Sequence, residues 1–221
     1  MRAYILLLAA LGSLPAAAQG PAPAAQSTFR SIELRGGGTV TLRYGPEHRV
    51  TVRSGGADRA IRYEGDKLVI DRCRRPCPAG HRIDVEVAAP RISALAVADG
   101  GLVQVAGGFP AQPAMAAAVS SGGMIDMRRL DAAHVTAAVV QGGRILASPR
   151  RELTAAVLDG GVVTYWGDPK VTSSVRRGGA VARGSAGDLR KPAAQLDAPL
   201  PTLPILPVLA PPVPPTPAHS D

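Results

Sequence analysis

Five times between Ala96 and Val181, the chain runs a short aliphatic stretch into a paired glycine and straight out into another aliphatic stretch. The copies are Ala96-Val97-Ala98-Asp99-Gly100-Gly101-Leu102-Val103, Ala118-Val119-Ser120-Ser121-Gly122-Gly123-Met124-Ile125, Ala138-Val139-Val140-Gln141-Gly142-Gly143-Arg144-Ile145, Ala156-Val157-Leu158-Asp159-Gly160-Gly161-Val162-Val163 and Ser174-Val175-Arg176-Arg177-Gly178-Gly179-Ala180-Val181. A looser copy, Leu34-Arg35-Gly36-Gly37-Gly38-Thr39-Val40, lies upstream. A step of about twenty residues is one supersecondary unit, too small to bury its own apolar face. Each step therefore reads as one coil: a strand ending in Val, a tight glycine corner, and a second strand. Val97, Val119, Val139, Val157 and Val175 would pile into one interior column, and Val103, Ile125, Ile145, Val163 and Val181 into the next. Gly100, Gly101, Gly122, Gly123, Gly142, Gly143, Gly160, Gly161, Gly178 and Gly179 are structural in this reading, because a side chain at the corner would strain the turn or strike the neighbouring coil. A phosphate-cradling loop would need Lys-Ser/Thr and a helix after the glycines, and no copy supplies them.

Upstream the apolar residues also alternate, as in Ile32-Glu33-Leu34, Val50-Thr51-Val52 and Ile83-Asp84-Val85-Glu86-Val87. Period two is strand periodicity. The expected fold is all-β, near sixteen short strands, as a single-stranded right-handed β-helix (β-solenoid) with a disordered Pro-rich tail.

Residues 1–18 read as a secretory signal: Arg2, the apolar run Tyr4 to Leu11, and the small-residue site Pro15-Ala16-Ala17-Ala18, cut after Ala18. The expected organisation is signal 1–18, linker 19–26, β-solenoid 27–187 and Pro-rich tail 188–221, in a periplasmic or secreted product with no transmembrane anchor. The formal charge of +8 suits an anionic envelope polymer, or else reflects arginine scattered over a solvated surface. At 3% aromatic content there is little on which to stack bases, so nucleic acid is not an expected partner.

The body resembles the head GIN domain family of "putative autotransporter adhesins", exported bacterial proteins described as β-helical. The resemblance runs from Phe29-Arg30-Ser31-Ile32-Glu33-Leu34 through His48-Arg49-Val50-Thr51-Val52, Asp66-Lys67-Leu68-Val69-Ile70 and Ile83 to Pro90 into the glycine repeats. It departs from the family at the corner. Where members show Gly-Ser-Gly, this chain carries Asp99, Ser121, Gln141, Asp159 or Arg177 in place of the first glycine.

Cys73 and Cys77 are the only cysteines and, in an oxidising compartment, are expected to pair as a disulfide. His81 would give a third metal ligand, but zinc normally takes four; no cofactor is expected. Asp99 and Asp159 share a repeat position but stand three coils apart, too far for a glycosidase pair. The doublets Arg128-Arg129, Arg150-Arg151 and Arg176-Arg177 would bind anions if their coils brought them to one side. These features favour a non-enzymatic envelope or surface module that is adhesive, scaffolding or ligand-binding. The alternatives are a carbohydrate-active β-helix enzyme and a periplasmic sensory or regulatory domain that binds another envelope protein.

Overall fold

The computed structural model describes residues 28–54, 61–71 and 82–193. They form fourteen strands in one continuously hydrogen-bonded sheet and a single 3-10 turn at Ala186–Arg190. The strands are β1 (Ser31–Arg35), β2 (Thr39–Tyr44), β3 (Arg49–Ser54), β4 (Ile61–Glu64), β5 (Lys67–Ile70), β6 (Asp84–Ala89), β7 (Ala94–Ala98), β8 (Leu102–Gly107), β9 (Gln112–Ser120), β10 (Met124–Val140), β11 (Arg144–Leu158), β12 (Val162–Tyr165), β13 (Lys170–Val175) and β14 (Ala180–Arg183).

The pairing resolves into two ladders. One runs β4, β5, β1, β7, β9, β10, β11, β13; the other runs β3, β6, β2, β8, β10, β11, β12, β14. The long strands β10 and β11 belong to both. The first part of β10 pairs with β8 and its last part with β9, with register shifts between Met127 and His134 where it passes from one ladder to the other. Apart from β3 on β6 and β4 on β5, every pairing is parallel.

The columns expected from the repeat are present. Val97, Val119, Val139, Val157 and Val175 are direct cross-strand partners, as are Val103, Ile125, Ile145, Val163 and Val181. Leu34 and Ile70 continue the first column, and Val40 and Val85 the second. Except at the last rung these side chains are buried, each contributing roughly 1.5–3 kcal/mol of transfer free energy. Burial stops there. Val175 is 43% exposed and Val181 half-buried, because among the described residues no further rung lies beyond them.

The order of the rungs departs from the order of the chain. Coils stacked in sequence would place β1 and β2 at the start, yet β1 lies between β5 and β7, and β2 between β6 and β8. The rung of β5 and β6, later in sequence, lies outside them. The antiparallel strands β3 and β4 close that end. Regular progression begins only at β7, where the twenty-residue repeat begins in the sequence.

The glycine corners stack with the strands. At each one the second glycine is held by packing. A Cβ on Gly123, Gly143 or Gly161 would come within 2.5–2.6 Å of Cγ1 of Val97, Val119 or Val139, one rung back, and within 2.9–3.0 Å of a glycine carbonyl oxygen. A Cβ on the first glycine, as at Gly122 or Gly142, would meet nothing within 4 Å. There the backbone conformation alone demands glycine, with φ of +83° and +81°.

Candidate functional site

The stacked corners leave a trough of about 920 Å³ along the axis, lined by glycines from Gly36 to Gly161. It spans five corners, hence four steps of about 4.8 Å or roughly 19 Å. Its floor is backbone. The carbonyls of Gly38, Gly101, Gly123 and Gly143 are engaged, accepting the N–H of Leu102, Met124, Arg144 and Val162 on the next rung at 2.8–2.9 Å. Thr39, Leu102, Met124 and Val162 line it, joined by Arg82 and Arg144. Among the described residues no acidic side chain lines it, and neither arginine forms an ion pair with a described residue. Arg144 was legible in the repeat, as a cation in the column otherwise filled by Leu102, Met124, Val162 and Ala180. Arg82 had no such signal.

Beside the trough, the residue before each glycine pair forms an outer row. Asp99, Ser121, Gln141, Asp159 and Arg177 all have φ of 51–59°, a conformation that glycine adopts freely and an L-residue only at a cost. Neighbours in the row interact: Ser121 Oγ donates to Gln141 Oε1 at 3.1 Å, and Arg177 pairs with Asp159 at 2.9 Å. Asp99 and Asp159 stand three rungs apart, roughly 14 Å. Asp126 is held by Arg128 at 2.7 Å, Asp131 by Arg150 at 2.5 Å, and Glu152 faces His134 at 3.3 Å. Among the described residues no three His, Cys, Asp or Glu side chains come together as a metal site.

The arginine doublets have separate occupations. Arg128 has a side chain only 6% exposed, and its role is structural. It donates to the carbonyls of Asp188 at 2.5 Å and Lys191 at 2.9 Å and lies 5.5 Å from the centroid of the Trp166 ring. Arg150 and Arg177 are committed to Asp131 and Asp159. Arg129, Arg151 and Arg176 are exposed and form no ion pair with described residues. Cys73, Cys77 and His81 lie outside the described residues, as do the signal segment and the linker.

Sequence reasoning missed the anchor that Arg128 builds. Trp166 is buried and donates Nε1–H to Ser185 O at 2.8 Å. Gly184 is indispensable to it, since any Cβ there would overlap the indole. Ala193 completes an apolar cluster with Met124, Leu146 and Trp166, against which Leu102 packs. Residues 188–193, assigned to the Pro-rich tail from sequence, are tied to the body by the two carbonyls that Arg128 holds and by buried Ala193. The lone tryptophan and the glycine eighteen residues after it were the available signal.

Residues 111–169 match the family "Putative auto-transporter adhesin, head GIN domain". The matched segment holds three of the six glycine corners, those on which β9 to β12 turn. Solved structures similar to the chain include a "putative adhesin" from Bacteroides fragilis (16% identity, 71% of this chain and 92% of that chain covered, TM-score 0.40). Others are a "putative adhesin" from Parabacteroides merdae (10% identity, 72% and 92% covered, TM-score 0.35) and a "putative lipid binding protein" from Parabacteroides distasonis (11% identity, 72% and 94% covered, TM-score 0.31). No curated protein matches the chain. Among the described residues no helix is long and apolar enough to cross a membrane.

Proposed function

We propose that the protein is an exported, non-enzymatic surface or envelope module that holds an extended anionic polymer, such as an acidic polysaccharide, along its glycine trough. The coil path from β7 onward is taken as right-handed, as parallel crossovers nearly always are, and export rests on the signal read at residues 1–18. One observation carries the ligand class. The trough is long, its floor presents no side chains, and among the described residues its only charged lining groups are Arg82 and Arg144. A chain of carboxylates or sulfates meets two cations and no acid there. Arg129, Arg151 and Arg176, exposed elsewhere on the coils, would add only a diffuse positive field. Catalysis is disfavoured by the commitments of the carboxylates: Asp126, Asp131, Asp159 and Glu152 each face a basic side chain.

Calorimetric titration with polygalacturonate and with neutral dextran tests the reading. Polygalacturonate is expected to bind weakly and to lose affinity as salt is raised through the screening range. The Arg82→Gln, Arg144→Gln double variant should bind roughly fivefold more weakly, as expected for two solvent-screened charge contacts. Equal binding of the neutral and acidic polymers, or affinity indifferent to both arginines, would contradict it.

A further inference from the structure

A second, smaller cavity opens at the end of the first ladder where the chain enters β1. It holds about 390 Å³, room for one small molecule, and shares no described lining residue with the trough. Four segments converge on it: Phe29 and Arg30 leading into β1, His48 before β3, Asp66 before β5, and Arg91 between β6 and β7. Backbone bonds fix their spacing. The Arg30 N–H donates to Asp66 O at 2.7 Å, and the N–H of Ser93, two residues past Arg91, donates to Arg30 O at 2.7 Å. Phe29 is buried, with its ring edge-on to His48 at 4.6 Å between centroids.

The polar side chains of this cavity are uncommitted. Arg30, Asp66 and Arg91 are exposed, and their side chains form no ion pair or hydrogen bond with a described residue. This holds although the register of β1 on β5 sets Arg30 on the rung next to Asp66. His48 Nε2 lies 2.8 Å from the Phe29 carbonyl oxygen. A carbonyl only accepts, so Nε2 carries the hydrogen and Nδ1 of the neutral ring is an acceptor, with no partner among the described residues. Two guanidiniums thus supply donors, and the Asp66 carboxylate and His48 Nδ1 supply acceptors. We propose that this cavity binds a small hydroxy-carboxylate, about the size of a single sugar acid. Its carboxylate meets Arg30 and Arg91, and its hydroxyls donate to Asp66 and His48. A bare anion leaves both acceptors unused and faces the charge of Asp66; a neutral sugar leaves both guanidiniums unused.

The site stands apart from the trough and does not rest on the polymer reading. Nuclear magnetic resonance titration of the full chain tests it, read at the His48 ring and the Thr28 methyl, with galacturonate, galactose and acetate as probes. Galacturonate should shift both signals saturably and bind roughly fivefold more tightly than galactose, the scale of two solvent-screened charge contacts. In the Arg30→Gln, Arg91→Gln variant that preference should vanish, because the carboxylate and its two partners form one thermodynamic cycle. Asp66→Ala should weaken both sugars about threefold, as the loss of one hydrogen bond does, without weakening acetate. The Arg82→Gln, Arg144→Gln variant should leave the His48 and Thr28 shifts unchanged. The ratio of galacturonate to galactose affinity in the unsubstituted chain needs no variant and is decisive by itself. A ratio near one, no saturable shift at His48 and Thr28, or a preference that survives the loss of Arg30 and Arg91 would overturn the proposal.

Discussion

The two ends of the stack are built from the same kind of rung and finish differently. At one end β3 and β4 turn antiparallel onto β6 and β5, and a net of charges covers them. Glu33 takes Arg35 at 2.5 Å and Lys67 at 3.0 Å, Glu86 takes Arg53 and, at 3.4 Å, Arg43, and Arg62 reaches Glu64 and Asp71. Leu34 and Ile70 beneath are fully buried. At the other end β13 and β14 are parallel edges, every residue of β13 is exposed, and Val171 and Val175 are 36% and 43% exposed among the described residues. Lys170 and Pro169 are the usual deterrents to edge pairing. A repeat specifies how to add a rung and carries no instruction for stopping; termination takes sequence outside the repeat.

Glycine substitutions should separate the ends most widely. A Cβ on Gly38 would stand 2.5 Å from the Ile83 carbonyl oxygen with φ at +111°, so Gly38→Ala should cost about 3 kcal/mol or more. Gly179→Ala also strikes the preceding rung, at Val157, but the last rung can shift outward, and about 1 kcal/mol is expected. Urea unfolding of the two variants gives the comparison; equal losses would mean that the last rung is as confined as the second.

Next come the columns. Leu34→Ala should lose about 3 kcal/mol through transfer and cavity terms, whereas Val175→Ala, already half in water, should lose well under about 1 kcal/mol. Equilibrium denaturation checks both. A large loss at Val175 would show the open end to be covered in solution.

Legibility in the sequence divides along the same line. Val119, Val139 and Val157 could be assigned to one interior column because a constant offset from the glycines forces a constant register. The insertion of β1 and β2 between later strands could not, since strand periodicity fixes which face is buried and says nothing about which neighbour a strand chooses. At the site, the glycine corners were legible as structural. The trough they create, and Arg82 beside it, depend on stacking. Arg128 looked like half of a surface doublet, and only the fold brings it under Trp166.

The smallest effect expected concerns pH. The hydrogen bond from Arg35 holds the Glu33 carboxyl below its ordinary range against the opposing effect of burial, with Lys67 assisting, and Arg53 does the same for half-buried Glu86. Both are depressed in the folded state, so their contribution is complete above the ordinary carboxylate range, about 4.3. It is lost as pH falls through the lowered folded values. Between pH 7 and 5 stability should not change on their account. Below that range the wild type should lose stability, and a Glu33→Gln, Glu86→Gln variant should lose less; parallel acid profiles would remove these pairs from the account.

The stacking itself is tested most directly by methyl nuclear Overhauser spectroscopy on selectively labelled valine and isoleucine. Cross-peaks should join Val119 to Val139, Val139 to Val157, Ile125 to Ile145 and Ile145 to Val163, stepping one rung at a time. Absence of these contacts, with Val119 and Val139 methyls accessible to solvent relaxation agents, would contradict the columns and with them the trough.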